Sequence, residues 1–412
     1  MILGWWESRQ LIIMALRGGT KQSSPVLFTK NQPLLSMTNP IIPFYQSTGK
    51  VVVRSDGFHQ YDSEGKQYTD FDSGVWCVNL GHNHSGINRV LQEQMNISVH
   101  HGYKFRNLLS EHLSEKLLGL NNLSGGQSVF LSSGSEVVNL SITLAKHLTG
   151  RNRILKTDNS YLSAYGHGQI SDQNAGLQTV KMNDIEALLQ IDFSEFAAYV
   201  FEPGTSFGLI HFPDPDFVEL IARKAREAGC FLIADEVTTG LGRTGKWFGY
   251  QHYNIQPDMV VCGKALGNGY PVSSLSVSAE IARQFEKSQF RYAQSHQNDP
   301  LGCAVALEVI RIFGESGIIR HCHETGCYFR EKLEGLKNRF PGKIADVRAR
   351  GLMLAAELVA DIDGESISNR LFDDGFVVGF KQNVLRFMPP LTITKKETDL
   401  LVDALERNLS AL

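Results

Sequence analysis

Apolar and polar residues alternate along the first patterned stretch of the chain, residues 51–71. In the run VVVRSDGFHQYDSEGKQYTDF this alternation surrounds two turns that contain glycine. A period of two predicts strands with one buried face, and the glycines predict short connections between the strands. Ile87, Val90 and Leu91 follow the GHNHSG sequence at helical spacing. The pattern therefore predicts a small meander followed by a helix.

From about residue 124, strand-like runs alternate with helical periods. SVFLSS is typical of a buried strand, and the segment after it has apolar residues at helical spacing until Gly150. Four later runs have the same strand signal, namely RILKT, AAYVFEP, CFLIADEV and DMVVCGKAL. A second helix begins at Asp214-Pro215 and ends before Gly229. The alternation predicts a mostly parallel central sheet with right-handed crossovers.

The C-terminal part of the chain has a different pattern. Two helices are expected over roughly 300–340, followed by the strand-like runs VRARGLMLAAELVA and FVVGFKQNVLRFMPPLTI and a closing helix from Lys395. This predicts a smaller α+β domain beside a large α/β domain. We expect four parts: an irregular segment 1–40, residues 41–75 packing with the small domain, a large domain 76–310 and the small domain 311–412.

Residues 1–40 show no sustained period. This segment is interpreted either as a lid that packs on a partner subunit or as translated upstream sequence. Its apolar run from Leu11 to Leu16 is far shorter than the roughly 20 residues of a membrane span. Glu7 and Arg9 interrupt the region where a signal peptide would be apolar. We therefore expect a cytoplasmic protein without a membrane partner.

Composition narrows the class of ligand. The 412 residues include 42% hydrophobic residues and carry a net charge of −3. Nucleic-acid binding requires a clustered excess of lysine and arginine, which this balance does not supply. A small-molecule partner is expected instead.

The six cysteines are spread along the chain, which indicates free thiols in a reducing compartment. The densest group, His321-Cys322-His323 with Cys327, lacks the paired spacing typical of zinc sites. It is interpreted as a solvated helix face, and no metal is expected.

Two turns could bind an anion or a nucleotide. In SSGSE, Gly134 permits close backbone approach, and the free amides of Ser135 and Glu136 open a helix. An ordinary helix cap explains the same residues. GLGRTG at 240–245 matches the dinucleotide motif GxGxxG, but it precedes no apolar helical period and follows Asp235 too closely.

An aspartate and a lysine stand at the ends of two predicted strands. Asp235 lies near the end of LIADEV. Lys264 follows VCG, 264 − 235 = 29 residues after Asp235. Ligands bind at the carboxyl ends of parallel strands, and desolvation lowers the pKa of a lysine towards a nucleophilic amine. The alternative for Asp235 alone is that it is one of a pair of solvated acids at the strand end. The alternative for Lys264 alone is a surface lysine whose amine snorkels to solvent.

Together these motifs resemble the class III pyridoxal-phosphate-dependent aminotransferases of fold type I, of the ornithine, acetylornithine and aminobutyrate type. The resemblance rests on SGSE, FEP, FLIADEVTTGLGRTGKWFGYQHYNIQPDMVVCGKALGNGYPVS, SHQNDPLGCAVALEVI and RFMPPLTIT, and it runs from about residue 50 to the C-terminus. It implies a large domain that binds pyridoxal 5'-phosphate, an amino donor, a keto acceptor and a homodimer with shared active sites.

The resemblance also implies roles for individual residues. Asp235 matches the acid at the pyridine nitrogen, which keeps the ring protonated, and Lys264 matches the lysine that forms the Schiff base. The other matched cofactor-binding residues are Gly134 and Ser135 at the phosphate, Tyr161 stacked on the ring, Val237 beneath it, Thr238 near its hydroxyl, Glu202 behind the site and Ser295 at the neighbouring subunit's phosphate.

Departures from the family pattern bear on the substrate. Leu162-Ser163-Ala164 replaces the motif whose arginine commonly binds a substrate carboxylate, and Phe207 replaces a glutamate that pairs with the arginine of RFxPPL. That arginine, Arg386, is present. We expect it to bind a single carboxylate, with Trp76 and Phe207 contacting the apolar end of a monocarboxylate or ω-amine. Alternatively Arg386 is structural, and another arginine such as Arg348 or Arg350 binds the substrate.

The expected function is amino-group transfer between an amino acid or ω-amine and a keto acid or aldehyde, through pyridoxamine phosphate. A racemase or epimerase, an aminomutase and a decarboxylase share the same Asp235 and Lys264 and stay open. The remaining alternatives are a nicotinamide oxidoreductase that uses GLGRTG and a catalytically silent homologue.

Overall fold

The computed structural model describes residues 41–42, 44–45, 47–102, 104–169 and 176–412. Residues 51–412 form one compact unit, and residues 1–50 belong to another. The two interpretations of residues 1–40 lie outside the described residues.

The predicted meander near residue 50 is confirmed. Its strands β1 (Val52–Asp56), β2 (His59–Asp62) and β3 (Gln67–Asp70) pair antiparallel in sequence order. A fourth strand, β13 (Phe376–Val377), joins β3 in parallel. This pairing links β3 with the C-terminal part of the chain.

The described residues contain one large sheet of seven strands in the order β4-β10-β9-β8-β7-β5-β6. The strands are β4 (Gln127–Leu131), β5 (Arg153–Thr157), β6 (Leu177–Val180), β7 (Phe196–Phe201), β8 (Phe231–Asp235), β9 (Met259–Cys262) and β10 (Ser273–Val277). All five strands expected from apolar runs are present. The β5, β6, β7, β8 and β9 pairings are parallel, so the mostly parallel sheet is confirmed.

Strands β6 and β10 were not predicted. β10 is antiparallel to both neighbours, and every residue of SSLSV is buried. Its serines give no apolar run, so the sequence carries little strand signal there. β6 is a short edge strand, LQTV, that alternates only weakly.

Helices pack on this sheet, and their ends follow the predicted signals. α4 (Gly134–Thr149) begins with a capping box formed by Ser133 and Glu136 and ends at Gly150, which has φ 68°. α6 (Pro215–Ala228) begins with proline and ends at Gly229, with φ 60°. The other helices before residue 316 are the left-handed turn α1 (Ser73–Trp76), α2 (Ser85–Met95), α3 (Leu108–Leu120), α5 (Ile185–Gln190), α7 (Ala279–Lys287) and α8 (Pro300–Glu315).

The C-terminal part forms a second antiparallel sheet, in the order β11-β12-β15-β14. Its strands are β11 (Ile344–Arg350), β12 (Met353–Leu358), β14 (Gly379–Lys381) and β15 (Val384–Phe387), and its helices are α9 (Ile318–Arg339), α10 (Gly364–Asp373) and α11 (Lys395–Ser410). The α+β character is confirmed, and α10 is an addition to the predicted elements. In the part of the chain that the structure describes, none of the helices is both long and apolar enough to cross a bilayer.

Candidate active site

The sheet brings Asp235 and Lys264 to the same edge. Asp235 is the last residue of β8 and is paired with Val261 of the neighbouring parallel strand β9. Lys264 follows β9 after Gly263. Because both strands run in the same direction, their carboxyl ends open on one crevice, as the spacing predicted.

Lys264 lies in a dry, strained position. Its backbone φ is 45°, in the left-handed region that non-glycine residues rarely adopt. Its Nζ donates to Thr238 Oγ1 at 2.7 Å and lies 4.5 Å from the centroid of the Trp76 ring. Burial lowers the pKa of the amine, while the nearby Cys77, Asp235, Glu202 and Asp72 oppose that shift. A larger fraction of the amine is therefore neutral and nucleophilic than in free lysine.

Two buried carboxylates lie behind the lysine. Asp235 accepts a hydrogen bond from Val237 N–H at 3.0 Å, and Glu202 accepts one from Tyr161 N–H at 2.9 Å. Burial raises the pKa of both acids, and for Glu202 the charge of Asp235 adds to the shift. A protonated ring nitrogen beside Asp235 would supply the missing positive charge, so this acid fits a pyridinium partner.

The turn before α4 is shaped for close approach. A Cβ on Gly134 would lie 2.6 Å from Val237 Cγ1, which leaves no room for a side chain. Glu136 accepts from the amides of Ser132 and Ser133. The amides of Gly134 and Ser135 have no intrahelical acceptor because these residues begin the helix. Such amides at a helix N-terminus suit a phosphate.

The side chain of Ser135 has a second contact. Its Oγ accepts from Ala164 N–H at 3.0 Å, while Ser163 Oγ donates to the Tyr165 carbonyl at 2.6 Å. The LSA segment that departs from the family pattern therefore lies directly against the phosphate turn. Ala164 is exposed and offers no charge to a substrate.

Ser295 lies apart from these residues, exposed in a turn. The turn is held by Asn298, whose amide N–H donates to the Phe130 carbonyl and whose side chain accepts from Phe130 N–H, both at 2.9 Å. The described residues of a single chain do not test its predicted contact with a neighbouring subunit.

Aromatic rings line the mouth of the crevice. Tyr161 and Phe207 are near-parallel, at 10°, with centroids 6.4 Å apart, and both are more than a third exposed. Lys381 Nζ lies 4.9 Å from the Phe207 centroid. The sequence argument favoured Arg386 as the cation for substrates, with Arg348 or Arg350 as alternatives, and the structure adds Lys381 beside Phe207.

Trp76 is presented by an unusual backbone turn. Residues 73–76 all have φ between +42° and +66°, and Trp76 N–H donates to the Asp72 carbonyl at 2.8 Å. This is one turn of left-handed helix, which costs roughly 1–2 kcal/mol per non-glycine residue. Strain of this kind commonly marks functional sites.

The Trp76 ring connects three charged groups. Arg386 lies 5.1 Å from its centroid, and Lys264 lies 4.5 Å from the same centroid. The indole Nε1–H donates to Asp72 Oδ1 at 2.9 Å. The predicted substrate residues Trp76 and Arg386 are therefore brought together, and Asp72 joins them.

The two alternative arginines are engaged elsewhere. Arg348 donates to the carbonyls of Leu209 and Ile210 and forms ion pairs with Asp346 and Glu357. Arg350 donates to the Tyr253 hydroxyl at 2.7 Å and lies over aromatic rings. These contacts favour Arg386 as the substrate-binding arginine.

The glycine motif at 240–245 has a structural role. Arg243 is fully buried and donates to the carbonyls of Leu352 and Pro389 and to the side chains of Ser73 and Asn79. It therefore connects the large sheet with the α1 turn and the C-terminal sheet. In place of the dinucleotide-binding helix, only a 3-10 turn at Gly249–His252 follows.

The His321–Cys327 group does not converge on one point. His321 hydrogen-bonds the Ile393 carbonyl, and the buried Cys322 contacts the Arg243 carbonyl. On an exposed face, His323 Nε2 and Cys327 Sγ are 3.9 Å apart. Of the predicted solvated face, only part is exposed, because α9 turns Cys322 into the core.

Sequence reasoning missed three neighbours of the site: Asp72, Cys77 and Lys381. Asp72 and Cys77 flank a short irregular turn, and Lys381 is the last residue of the three-residue strand β14. The available sequence signal for Asp72 was the second acid of DFDSG, four residues before Trp76.

Comparison with known proteins places this architecture in a family. The family model Aminotransferase class-III matches residues 44–409. The acetylornithine aminotransferase of Caldanaerobacter subterraneus subsp. tengcongensis is 31% identical over 380 residues, which cover 88% of this chain and 95% of that protein. The acetylornithine aminotransferase of Aquifex aeolicus is 31% identical over 374 residues, covering 87% and 96%.

Solved structures agree with the sequence relatives. The acetylornithine aminotransferase from Elizabethkingia anophelis superposes with a TM-score of 0.81 at 26% identity, covering 90% of this chain and 96% of that chain. An (S)-enantioselective omega-transaminase from Thermomicrobium roseum gives 0.82 at 27% identity, covering 88% and 92%.

Proposed function

Because the chain belongs to the class III aminotransferases, which use pyridoxal phosphate, we propose that its donor carries at most one carboxylate and that Arg386 binds that group. The family supports amino transfer rather than racemisation, aminomutation, decarboxylation or nicotinamide chemistry.

One observation carries the proposal: Lys264 and Arg386 contact the same Trp76 ring, at 4.5 and 5.1 Å from its centroid. A molecule that brings its amine or carbonyl carbon to Lys264 can therefore place a carboxylate at Arg386 while its chain lies along the indole. The guanidinium fork suits one carboxylate bidentately.

When bound, pyridoxal phosphate supplies an electrophilic carbon and a ring that accepts electrons. Asp235 would hold its ring nitrogen, and the amides of Gly134 and Ser135 would hold its phosphate. Lys264 would anchor it and, as a free amine, move a proton at the substrate carbon that bears nitrogen. Thr238 keeps the amine in place through its 2.7 Å hydrogen bond, and Glu202 fixes the backbone of Tyr161.

The walls of the crevice favour a substrate with a single acid. Tyr161 and Phe207 offer apolar surface at the mouth, and Ala164 supplies no cation. Acetylornithine, named in the relatives, has one carboxylate and one free primary amine, which matches this class. Lys381 is the residue that would favour a second anionic group, so dicarboxylates are the decisive comparison.

Absorbance spectroscopy of the purified holoenzyme tests the proposal. A productive donor converts the visible cofactor band to the pyridoxamine form, and a keto acid restores it. We expect conversion by alanine, N-acetylornithine or 1-phenylethylamine, and little advantage for glutamate. A large preference for glutamate over alanine would refute the single-acid proposal.

Arg386→Leu tests the carboxylate site within the same assay. We expect it to lose donors and acceptors that bear a carboxylate while keeping 1-phenylethylamine. Lys381→Met is the matched control, because it removes a cation at the rim without touching Trp76. Equal activity of Arg386→Leu on both donor classes would contradict the role of Arg386.

We also propose a homodimer with shared active sites. Exposed apolar side chains support it, and one group of them lies around the connection between α2 and α3, at Met95, Ile97, Val99, Phe105 and Leu108. Ser295, also exposed, is the proposed contact with the neighbouring cofactor phosphate.

Mixing two inactive variants tests the shared site. Lys264→Ala should be inactive because it lacks the amine. Ser295→Asp should be inactive because the aspartate would repel the phosphate. A hybrid dimer recovers one native site if Ser295 acts across the interface. An active monomer at high dilution, or no recovery in verified hybrids, would contradict the proposal.

We infer a cytoplasmic location from the thiols. All six cysteines lie within the described residues and are free, and four of them are buried. Free thiols are typical of reducing compartments. We keep the division into 1–40, 41–75, 76–310 and 311–412 as a proposal, to be tested by limited proteolysis.

A further inference from the structure

Asp72 is a partly buried acid at the site that the proposed chemistry does not use. Its backbone begins the left-handed turn, and its Oδ1 accepts from the Trp76 indole at 2.9 Å. Burial raises its pKa to about 6, and the largest opposing influence is the charge of Arg386. The side chain therefore faces the proposed carboxylate-binding residue.

Asp72 and Arg386 approach each other at a position where Gly379 has no side chain. Gly379 of β14 pairs with Arg386 of β15, and a Cβ there would lie 2.9 Å from Arg386 Nη2 and 2.9 Å from Asp72 Oδ1. Both charged groups therefore border the space that glycine leaves free, within about 6 Å of each other. Even alanine would force one of them to move.

Arg386 has few other partners. Its Nε is buried and has no hydrogen-bond partner among the described residues. Burial lowers the pKa of the guanidinium, and Asp72 is the charge that opposes this shift. A buried charge without compensation is unfavourable, so Asp72 and Arg386 compensate each other when no ligand is bound.

We propose that Asp72 is a specificity-determining residue that neutralises Arg386 when the substrate has no carboxylate and releases it when a carboxylate binds. The inference rests on the proposed role of Arg386. Because Asp72 competes for the guanidinium, it weakens binding of acids and makes the crevice tolerant of amines that lack a carboxylate. It acts through Arg386 and is a positioning residue rather than a catalytic one.

Asp72→Asn removes the charge and keeps an oxygen that accepts from the Trp76 indole. Half-reactions of the holoenzyme are followed with alanine, which bears a carboxylate, and with 1-phenylethylamine, which does not. We expect KM for alanine to fall on the order of tenfold with kcat little changed, and kcat/KM for 1-phenylethylamine to fall by a similar factor. A merely structural role would not move the two donors in opposite directions.

Two further variants make the test decisive. Gly379→Ala separates the two groups sterically and should shift selectivity in the same direction as Asp72→Asn. In the double variant Asp72→Asn/Arg386→Leu, the selectivity shift should disappear, because the charge on which Asp72 acts is gone.

Three results overturn the inference. They are an equal change for both donors in Asp72→Asn, no change in that variant, and a shift that persists without Arg386. The Arg386→Leu single variant separates the proposed role of Asp72 from the proposed carboxylate site. If this variant keeps its activity on alanine, the proposed carboxylate site is wrong as well. If it loses alanine while Asp72→Asn is unselective, only the role of Asp72 is wrong.

Discussion

The ionisation of Asp72 should be visible in the stability of the fold. Its pKa is raised from 3.8 to about 6 because burial disfavours the carboxylate, with Arg386 and Arg243 opposing the shift and Asp70 adding to it. An acid whose pKa is higher in the folded state destabilises that state progressively as pH rises from the unfolded to the folded pKa. Above pH 6 the destabilisation is complete.

The size of this destabilisation follows from the difference between the pKa values of Asp72 in the folded and unfolded states. Linkage gives about 3 kcal/mol of lost stability at pH 7.5, about 1.6 kcal/mol at pH 5 and only about 0.1 kcal/mol at pH 3. Asp72→Asn keeps the indole contact and removes the titration. We therefore expect this variant to be more stable than the native enzyme at pH 7.5 by up to about 3 kcal/mol, with the gain roughly halved at pH 5.

Urea denaturation of both holoenzymes at pH 5 and 7.5, at equal protein concentration and saturating cofactor, measures the effect. Fluorescence and circular dichroism should report coincident transitions before free energies are compared. A gain that is the same at both pH values would refute the linkage argument. Lower stability of Asp72→Asn at both values would show that the carboxylate itself stabilises the turn.

Three other substitutions test the proposed cofactor residues. Lys264→Ala should abolish turnover and the spectrum of covalently held cofactor while circular dichroism stays native; a normal native absorbance would contradict its role. Asp235→Asn should retain cofactor and lose activity on the order of 100-fold, since an amide cannot stabilise a pyridinium charge, and near-native kcat would argue against it. Gly134→Ala should weaken cofactor binding because its Cβ would meet Val237 Cγ1 at 2.6 Å, whereas Gly119→Ala, which meets open space, should titrate like the native enzyme.

The sequence was sufficient where chemistry depends on regular elements. Apolar runs predicted five of the strands, and parallel strands necessarily bring their carboxyl ends to one edge. Asp235 and Lys264 therefore meet for a reason that a reader can find in the sequence alone. The context of GLGRTG also argued correctly against dinucleotide binding, since periodicity after the glycines was missing.

Only the tertiary structure determined how the substrate side of the site is assembled. The sequence named Trp76 and Arg386, but Asp72 and Gly379 join them because a left-handed turn meets two short strands that lie far along the chain from it. Neither the φ of a strained turn nor the space left by a glycine has a sequence signature. β10 was missed for a related reason: its buried serines satisfy the sheet without an apolar pattern. Periodicity reports which face of an element is buried, whereas the convergence of charges depends on how three sheets pack.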